Sequence, residues 1–382
     1  MTPYARQSID TDDINAVISV LKSDFLTTGH KVQEFEEKFS KFVGSKYAVA
    51  VSSGTAALHL ACLVAGLKNE EELITSPLTF AASANCALYC RAKPVFVDIT
   101  PQGLIDENKI EEKITRKTKI IIPVHYSGLP CNLEQIRKIA KKHKLLIIED
   151  ATHALGARYK NSKIGDCQYS DMAVFSFHPV KHITTGEGGI ITTNSKKLYE
   201  KLIILRNHGI TKENLKSKIK NSKFTDPWYY EMQFLGFNYR LTDLQCALGI
   251  SQLKKAKKFI QKRRKIAKIY NQAFKNLKNV ETAKTNECQF NAYHLYPILL
   301  ENEDVRLKLF KYLQKKGILC QVHYIPVYWH PHYQKLGFKK NLCPKAEDFY
   351  QKEISIPLYP SMKKTQINFV INQIFKFFKN KK

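Results

Sequence analysis

Arginine is scarce in this chain. Of 61 basic residues only 10 are arginine and 51 are lysine, against 34 acidic residues, for a net charge of +27. A surplus of that size raises a nucleic-acid reading. The guanidinium, which grips bases and phosphates in a two-pronged fashion, is the group in short supply. The basic residues are instead scattered through runs such as 216–223 and 254–264. Nucleic acid is therefore not an expected partner, whereas a small anionic ligand is.

Long apolar runs are also missing. None is long enough to cross a bilayer, and the opening stretch MTPYARQSID has no signal-peptide core, so no membrane association is expected. The nine cysteines form no CxxC pair and no Cys/His array at zinc spacing. No metal is expected, and the odd count fits a reducing cytoplasm. Cys86 and Cys90, one helical turn apart, fit a packed helix, and His330-Pro331-His332 reads as a polar loop. There is no internal repeat and no low-complexity linker.

What is present is ordinary globular composition, 44% hydrophobic over 382 residues, enough for two domains. Asp10 to Asp13 predicts the start of a helix in an N-terminal arm, and VQEFEEKFSKFVG predicts a second one ending at Gly44. From Tyr47 onward, apolar runs without alternation are separated by helical segments, with strands expected at 47–51, 72–76, 94–97, 118–124 and 145–150. Strands covered on both faces indicate a mostly parallel sheet in an α/β fold. Ligands of such sheets sit beyond the strands' carboxyl ends, where Thr55, Phe80, Asp150 and Ser176 fall. The long helical segment after Asp243 is where the domain change is expected, giving a large unit 1–250 that includes the arm and a smaller C-terminal α/β unit 251–382.

The stretch Asp171–Gly189, DMAVFSFHPVKHITTGEGG, reads as a strand, a polar turn carrying Lys181, and a glycine-rich exit into the next strand. One lysine among 51 is weak evidence by itself. Ser53-Gly54-Thr55 between a strand and a helix is built to hold an anion, because free N–H groups and the positive end of the helix dipole converge there. An enzyme that uses pyridoxal phosphate needs a lysine, a carboxylate for the ring nitrogen, donors for the phosphate and a flat group against the ring. Lys181, Asp150, the Ser53–Thr55 turn with Ser176, and Phe80 supply these, in an order along the chain compatible with one parallel sheet. Taken singly, each has a plainer reading: a cap for Asp150, a core ring for Phe80, tight turns for Ser176 and the glycines.

Ser-Phe-His-Pro-Val-Lys at 176–181, Gly-Glu-Gly-Gly at 186–189, Glu-Asp-Ala-Thr-His-Ala-Leu-Gly at 149–156 and Gly-Phe-Asn-Tyr-Arg-Leu-Thr-Asp at 236–243 resemble the nucleotide-sugar aminotransferases of the DegT/DnrJ/StrS family. The resemblance runs from about Thr27 into the C-terminal unit. It implies a fold-type I pyridoxal-phosphate aminotransferase with a mostly parallel mixed sheet. By that resemblance Lys181 is the Schiff-base lysine, Asp150 pairs with the pyridine nitrogen and His153 contacts the phenolic oxygen. Gly54, Thr55 and Ser176 hold the phosphate, and Phe80 stacks on the ring. Asn238 reaches the phosphate site of a neighbouring subunit, which implies a homodimer with shared active sites. Some members of that family carry histidine in place of the lysine and act as dehydratases, and Lys181 argues against that here.

The segments QVHYIPVY at 321–328 and AEDFY at 346–350, with the loop Asp24–Thr27, resemble more closely the C4 aminotransferases of pseudaminic acid formation. That branch implies amino transfer from L-glutamate to a UDP-linked 4-keto-6-deoxy-N-acetylhexosamine. Tyr4, Asp24, Phe25, Leu26, Thr27, Asn238, His323 and Tyr324 are then the candidate substrate contacts. The plain reading of QVHYIPVY is a strand with an aromatic edge. Two alternatives stand beside this one: an aminotransferase for another nucleotide sugar, of the bacillosamine-type C4 or a C3 kind, and a non-catalytic basic nucleic-acid-binding protein.

Overall fold

The computed structural model describes residues 1–211 and 228–379; the lysine run at 216–223 lies outside them. The arm holds α1 (Thr11–Leu21), which begins in a capping box between Asp10 and Asp13, and α2 (His30–Val43), which ends on left-handed Gly44. The strand–helix alternation then builds β1 (Tyr47–Val51), α3 (Gly54–Val64), β2 (Glu72–Thr75), α4 (Ala82–Tyr89), β3 (Lys93–Phe96), β4 (Thr118–Ile122), α5 (Leu133–His143) and β5 (Leu146–Asp150). A small hairpin, β6 (Arg158–Tyr159) and β7 (Ser162–Lys163), precedes β8 (Met172–Ser176), β9 (Gly189–Thr193) and α6 (Lys196–Leu205).

Seven strands form one sheet in the order β1-β9-β8-β5-β4-β2-β3. The pairs from β8 through β3 are parallel, and β9 runs antiparallel to both β1 and β8. The glycine at the start of β9 has a steric cause. A Cβ at Gly189 would lie 2.4 Å from the Ser53 carbonyl oxygen, so the turn after β1 can close on β9 only where there is no side chain. Helices cover both faces. Phe35 and Phe39 of α2 pack with Phe175 and Phe177 on one side, and Leu58 and Leu60 of α3 pack with Val49, Val174 and Ile191 on the other. Both faces of the strands are therefore apolar, as their unalternating sequences require.

After the short pair β10 (Ile210–Thr211) and β11 (Glu231–Met232), the helix α7 runs unbroken from Asp243 to Phe274. Its first half contributes Ile250, Leu253 and Phe259 to the core of the large sheet, and its second half gives Ile266, Tyr270 and Phe274 to a separate C-terminal core. That core is built from β14 (Tyr296–Leu299), α8 (Glu303–Lys315), β15 (Glu353–Ile356) and α11 (Lys364–Lys379); β12 (Glu281–Thr282), β14 and β15 form the antiparallel sheet beside it. The intervening β13 (Gln289–Phe290) reaches across to β6, while α9 (Pro331–Lys335) and α10 (Pro344–Lys352) pack beside the large unit's β3 edge. The first residues of the arm also belong spatially to the C-terminal side: Thr2 bridges Ile318, and the Tyr4 carbonyl accepts from Leu358 N–H at 3.0 Å.

Candidate active site

The carboxyl ends of β1, β5 and β8 open onto one cavity of about 660 Å³, roofed by the 321–325 segment and Tyr4 of the arm. The loop that carries Lys181 leaves β8 and is pinned at buried Phe177. Phe177 N–H donates to Gly188 O at 2.8 Å, and its own carbonyl accepts from Thr185 N–H at 3.0 Å and Thr184 Oγ1 at 2.9 Å. The loop is thus closed at its base, and Lys181 at its far end lines the cavity. Loss of hydration there lowers the Lys181 amine to about 8, with Asp150 opposing the fall.

Asp150, at the end of β5, is buried. Its Oδ2 accepts from Ser83 Oγ at 2.5 Å and its Oδ1 from Thr152 N–H at 3.1 Å. Ser83 is held in turn by Thr79, hydroxyl to hydroxyl at 2.7 Å. Opposite lies the start of α3. Ser53 caps it by accepting Ala56 N–H at 3.1 Å, and the amides of Gly54 and Thr55, in the first turn, have no partner within the helix. A Cβ on Gly54 would meet that of Ser176 at 2.9 Å, so the missing side chain leaves a cradle between α3 and β8. Phe80 is 63% exposed and lines the cavity, with the Tyr324 ring set edge-to-face at 6.4 Å between centroids. A phenylalanine meant for the core would not be left so bare.

Around Lys181 stand four imidazoles, all kept neutral. His153 and His294, whose rings are 4.3 Å apart, are well below the ordinary histidine range because they are buried and face Lys181 and other imidazoles. His182 and His323 fall to about 3, again chiefly through burial. His153 stands behind the cavity wall, its Nε2 3.1 Å from Tyr324 Oη and its Nδ1 buried without a partner among the described residues. Burial raises the Tyr324 phenol, with Asp150 adding to the effect.

Of the residues singled out in the sequence, Tyr4, Gly54, Thr55, Phe80, Asp150, Ser176, Lys181, His323 and Tyr324 share this cavity. The segment around His323 is not a strand: it has one bridge, Gln321 to Ser355, and turns into the cavity. Asp24, Phe25, Leu26, Thr27 and Asn238 do not line the cavity of their own chain. They cluster elsewhere. Thr27 bridges Thr242, Asp243 N–H donates to Leu26 O at 3.1 Å, and Asn238 bridges Asn207. Sequence reasoning missed Ser83 and His294. A serine at the start of a mainly apolar helix, three residues beyond Phe80, was the available signal for Ser83. For His294 there was none, because it arrives from the C-terminal side through its N–H bond to Ser127 O at 2.8 Å.

The donor set fits pyridoxal phosphate: an anion cradle at a helix start, a hydrogen-bonded carboxylate, an exposed ring and a lysine near neutrality share one space. Fold and cavity together define a fold-type I, lysine-centred enzyme. The chain matches the DegT/DnrJ/EryC1/StrS aminotransferase family over residues 7–375 and belongs to it. It is a pyridoxal-phosphate-dependent sugar aminotransferase. It is 41% identical over 380 residues to a UDP-4-amino-4,6-dideoxy-N-acetyl-beta-L-altrosamine transaminase of Campylobacter jejuni, covering 98% of this chain and 97% of the relative. Helicobacter pylori PseC, an aminotransferase involved in the biosynthesis of pseudoaminic acid, superposes with a TM-score of 0.91 at 36% identity over 99% of both chains. A Streptococcus pneumoniae protein described as a sugar aminotransferase, in its PMP form, gives 0.92 at 29% identity over the full length of both.

Proposed function

We propose that this enzyme transfers an amino group from L-glutamate to C4 of a UDP-linked 4-keto-6-deoxy-N-acetylhexosamine, giving UDP-4-amino-4,6-dideoxy-N-acetyl-beta-L-altrosamine on the route to pseudaminic acid. The observation that carries it is the joining, in one cavity, of Lys181 and Asp150 with His323, Tyr324 and Tyr4, the segments in which the chain resembles that branch. The similarity to a transaminase named for that product supports the same reading.

Bound pyridoxal phosphate supplies a ring that accepts the electron pair left when a C–H bond beside nitrogen loses its proton. Gly54, Thr55 and Ser176 would hold its phosphate, Asp150 would face its ring nitrogen, and Phe80 would bear on its face. Ser83 Oγ and the Thr152 amide, both donating to Asp150, would hold its carboxyl group in place for that role. Lys181 Nζ, poised near neutrality, takes the proton from Cα of the amino donor and delivers one at C4 of the sugar. His153 fixes the Tyr324 hydroxyl at the cavity wall. The transfer runs in two half-reactions, so ping-pong kinetics are expected. The UDP group supplies binding energy remote from the reacting carbon.

The protein works as a homodimer with shared sites. Asn238 and the Asp24–Thr27 loop belong to segments that expose Phe25, Leu26, Phe234 and Leu235, apolar surface suited to a second copy that would receive Asn238 in its cavity. All nine cysteines are free, in keeping with a cytoplasmic enzyme. The test is to add glutamate and watch the cofactor's absorbance bleach, then offer UDP-4-keto sugars differing at C5. Restoration by the proposed sugar supports the reading. Restoration only by a sugar of other stereochemistry, or by a 3-keto sugar, overturns it.

A further inference from the structure

Behind the cavity roof lies a polar chain that the amino transfer does not use. Glu353 on β15 is 0% exposed. Its Oε2 accepts the His323 backbone N–H at 2.7 Å, and its Oε1 lies 2.5 Å from Ser355 Oγ. Ser355 Oγ is 2.8 Å from His323 Nδ1. His323 lines the cavity, and among the described residues its Nε2 has no hydrogen-bond partner.

We propose that Glu353, acting through the Ser355 hydroxyl, sets whether His323 turns a hydrogen-bond acceptor or a donor toward the sugar substrate. The reason is that the hydroxyl has one proton to give. When Glu353 is ionised, both its oxygens accept. Ser355 then donates to Oε1, Nδ1–H must donate to Oγ, and His323 Nε2 carries a lone pair into the cavity. When Glu353 is protonated, Oε1–H donates to Oγ and the hydroxyl proton goes to Nδ1. Nε2 then carries the hydrogen. The imidazole is neutral in both arrangements, and only its tautomer changes. Glu353 and Ser355 are positioning residues, because they reach the substrate only through His323.

The surroundings permit this exchange. Burial raises Glu353 to about 8, against the pull of Arg306 on α8. The Tyr126 and Tyr324 phenols and the Cys320 thiol also face it, and all three are raised and so stay neutral. On the other side, burial and Lys181 hold His323 neutral, His153 is neutral as well, and the Tyr4 ring lies 5.7 Å away.

The inference rests on the proposed reading that His323 faces the sugar, but its first test does not. Holoenzyme labelled with ¹⁵N-histidine gives the tautomer of His323 directly, its signal assigned by loss in His323→Gln. Wild type is expected to pass from Nε2–H to Nδ1–H as pH rises through about 8. Glu353→Gln, whose carbonyl accepts the backbone N–H and whose amide donates to Oγ, is expected to stay Nε2–H throughout. Ser355→Ala is expected to lose the pH-linked exchange, and Ser355→Thr to keep it. In kinetics, KM for the keto-sugar in wild type and Glu353→Gln should agree below the transition and part by about tenfold above it, with kcat changing less. A wild-type tautomer indifferent to pH, or one that still switches in Ser355→Ala, overturns the proposal. Should Glu353→Gln not fold, the two Ser355 variants decide alone. If no UDP-4-keto sugar is turned over, the substrate reading fails and the spectra still decide the relay.

Discussion

Ser83 Oγ donates to Asp150 Oδ2 across 2.5 Å inside the protein, joining α4 to the end of β5. The carboxylate proposed to face the cofactor's ring nitrogen is therefore oriented by a residue on a different element, the helix α4. Ser83→Ala leaves one buried carboxylate oxygen short of a donor. A hydrogen bond to a charged group is worth about 1.5–3 kcal/mol, so kcat/KM should fall roughly ten- to a hundredfold. Steady-state kinetics with the thermal midpoint measured alongside would check it; an unchanged kcat/KM refutes the orienting role.

The Lys181 amine at about 8 sits below the ordinary lysine value of about 10.4. Between those values the unfolded chain binds more protons than the folded one. The stability of cofactor-free protein should therefore rise with pH across that window, and the gain should be absent below it. Lys181→Met cannot titrate, so the melting midpoints of the two proteins should diverge in slope between about pH 8 and about pH 10.4. The same variant should lose about a thousandfold or more in turnover. Parallel pH profiles of stability would contradict the depressed amine.

Phe80 is 63% exposed and packs against little. Phe80→Ala should change stability by no more than about 0.5 kcal/mol, as for a surface site. Cofactor affinity should drop about three- to tenfold from loss of the stacking face. Equilibrium dialysis with pyridoxal phosphate separates the two effects; a large loss of stability would assign Phe80 to the core.

Mixed dimers test the proposed sharing of sites. Lys181→Ala and Asn238→Ala chains are each expected to be impaired alone. Refolded together in equal amounts, they form some dimers in which one cavity has an intact Lys181 and receives an intact Asn238. Random pairing should restore about a quarter of wild-type activity. No recovery on mixing would place Asn238 in its own chain's function.

Much of the fold was legible because the helices and strands announce themselves locally. Apolar runs without alternation mark strands covered on both faces, and Asp10, Ser53 and Gly44 mark helix ends by local chemistry. The antiparallel course of β9 was not legible, since an apolar strand reads the same in either direction. Nor was the pairing of the arm's first residues with the C-terminal side, which depends on Leu358 and Ile318.

The sequence by itself determined the chemical kind of this protein: Lys181, Asp150, the Ser53–Thr55 turn and the Gly236–Asp243 segment carry enough pattern to mark a family. The tertiary structure decided how those groups work. Burial brought Lys181 near neutrality, Ser83 oriented Asp150, and the C-terminal unit delivered His294, His323 and Tyr324 to the same cavity. The physical reason is that hydration, hydrogen-bond partnership and distance are properties of neighbours in space. Ser83 and Asp150 lie 67 positions apart and His323 and Ser355 lie 32 apart, separations at which sequence carries no distance.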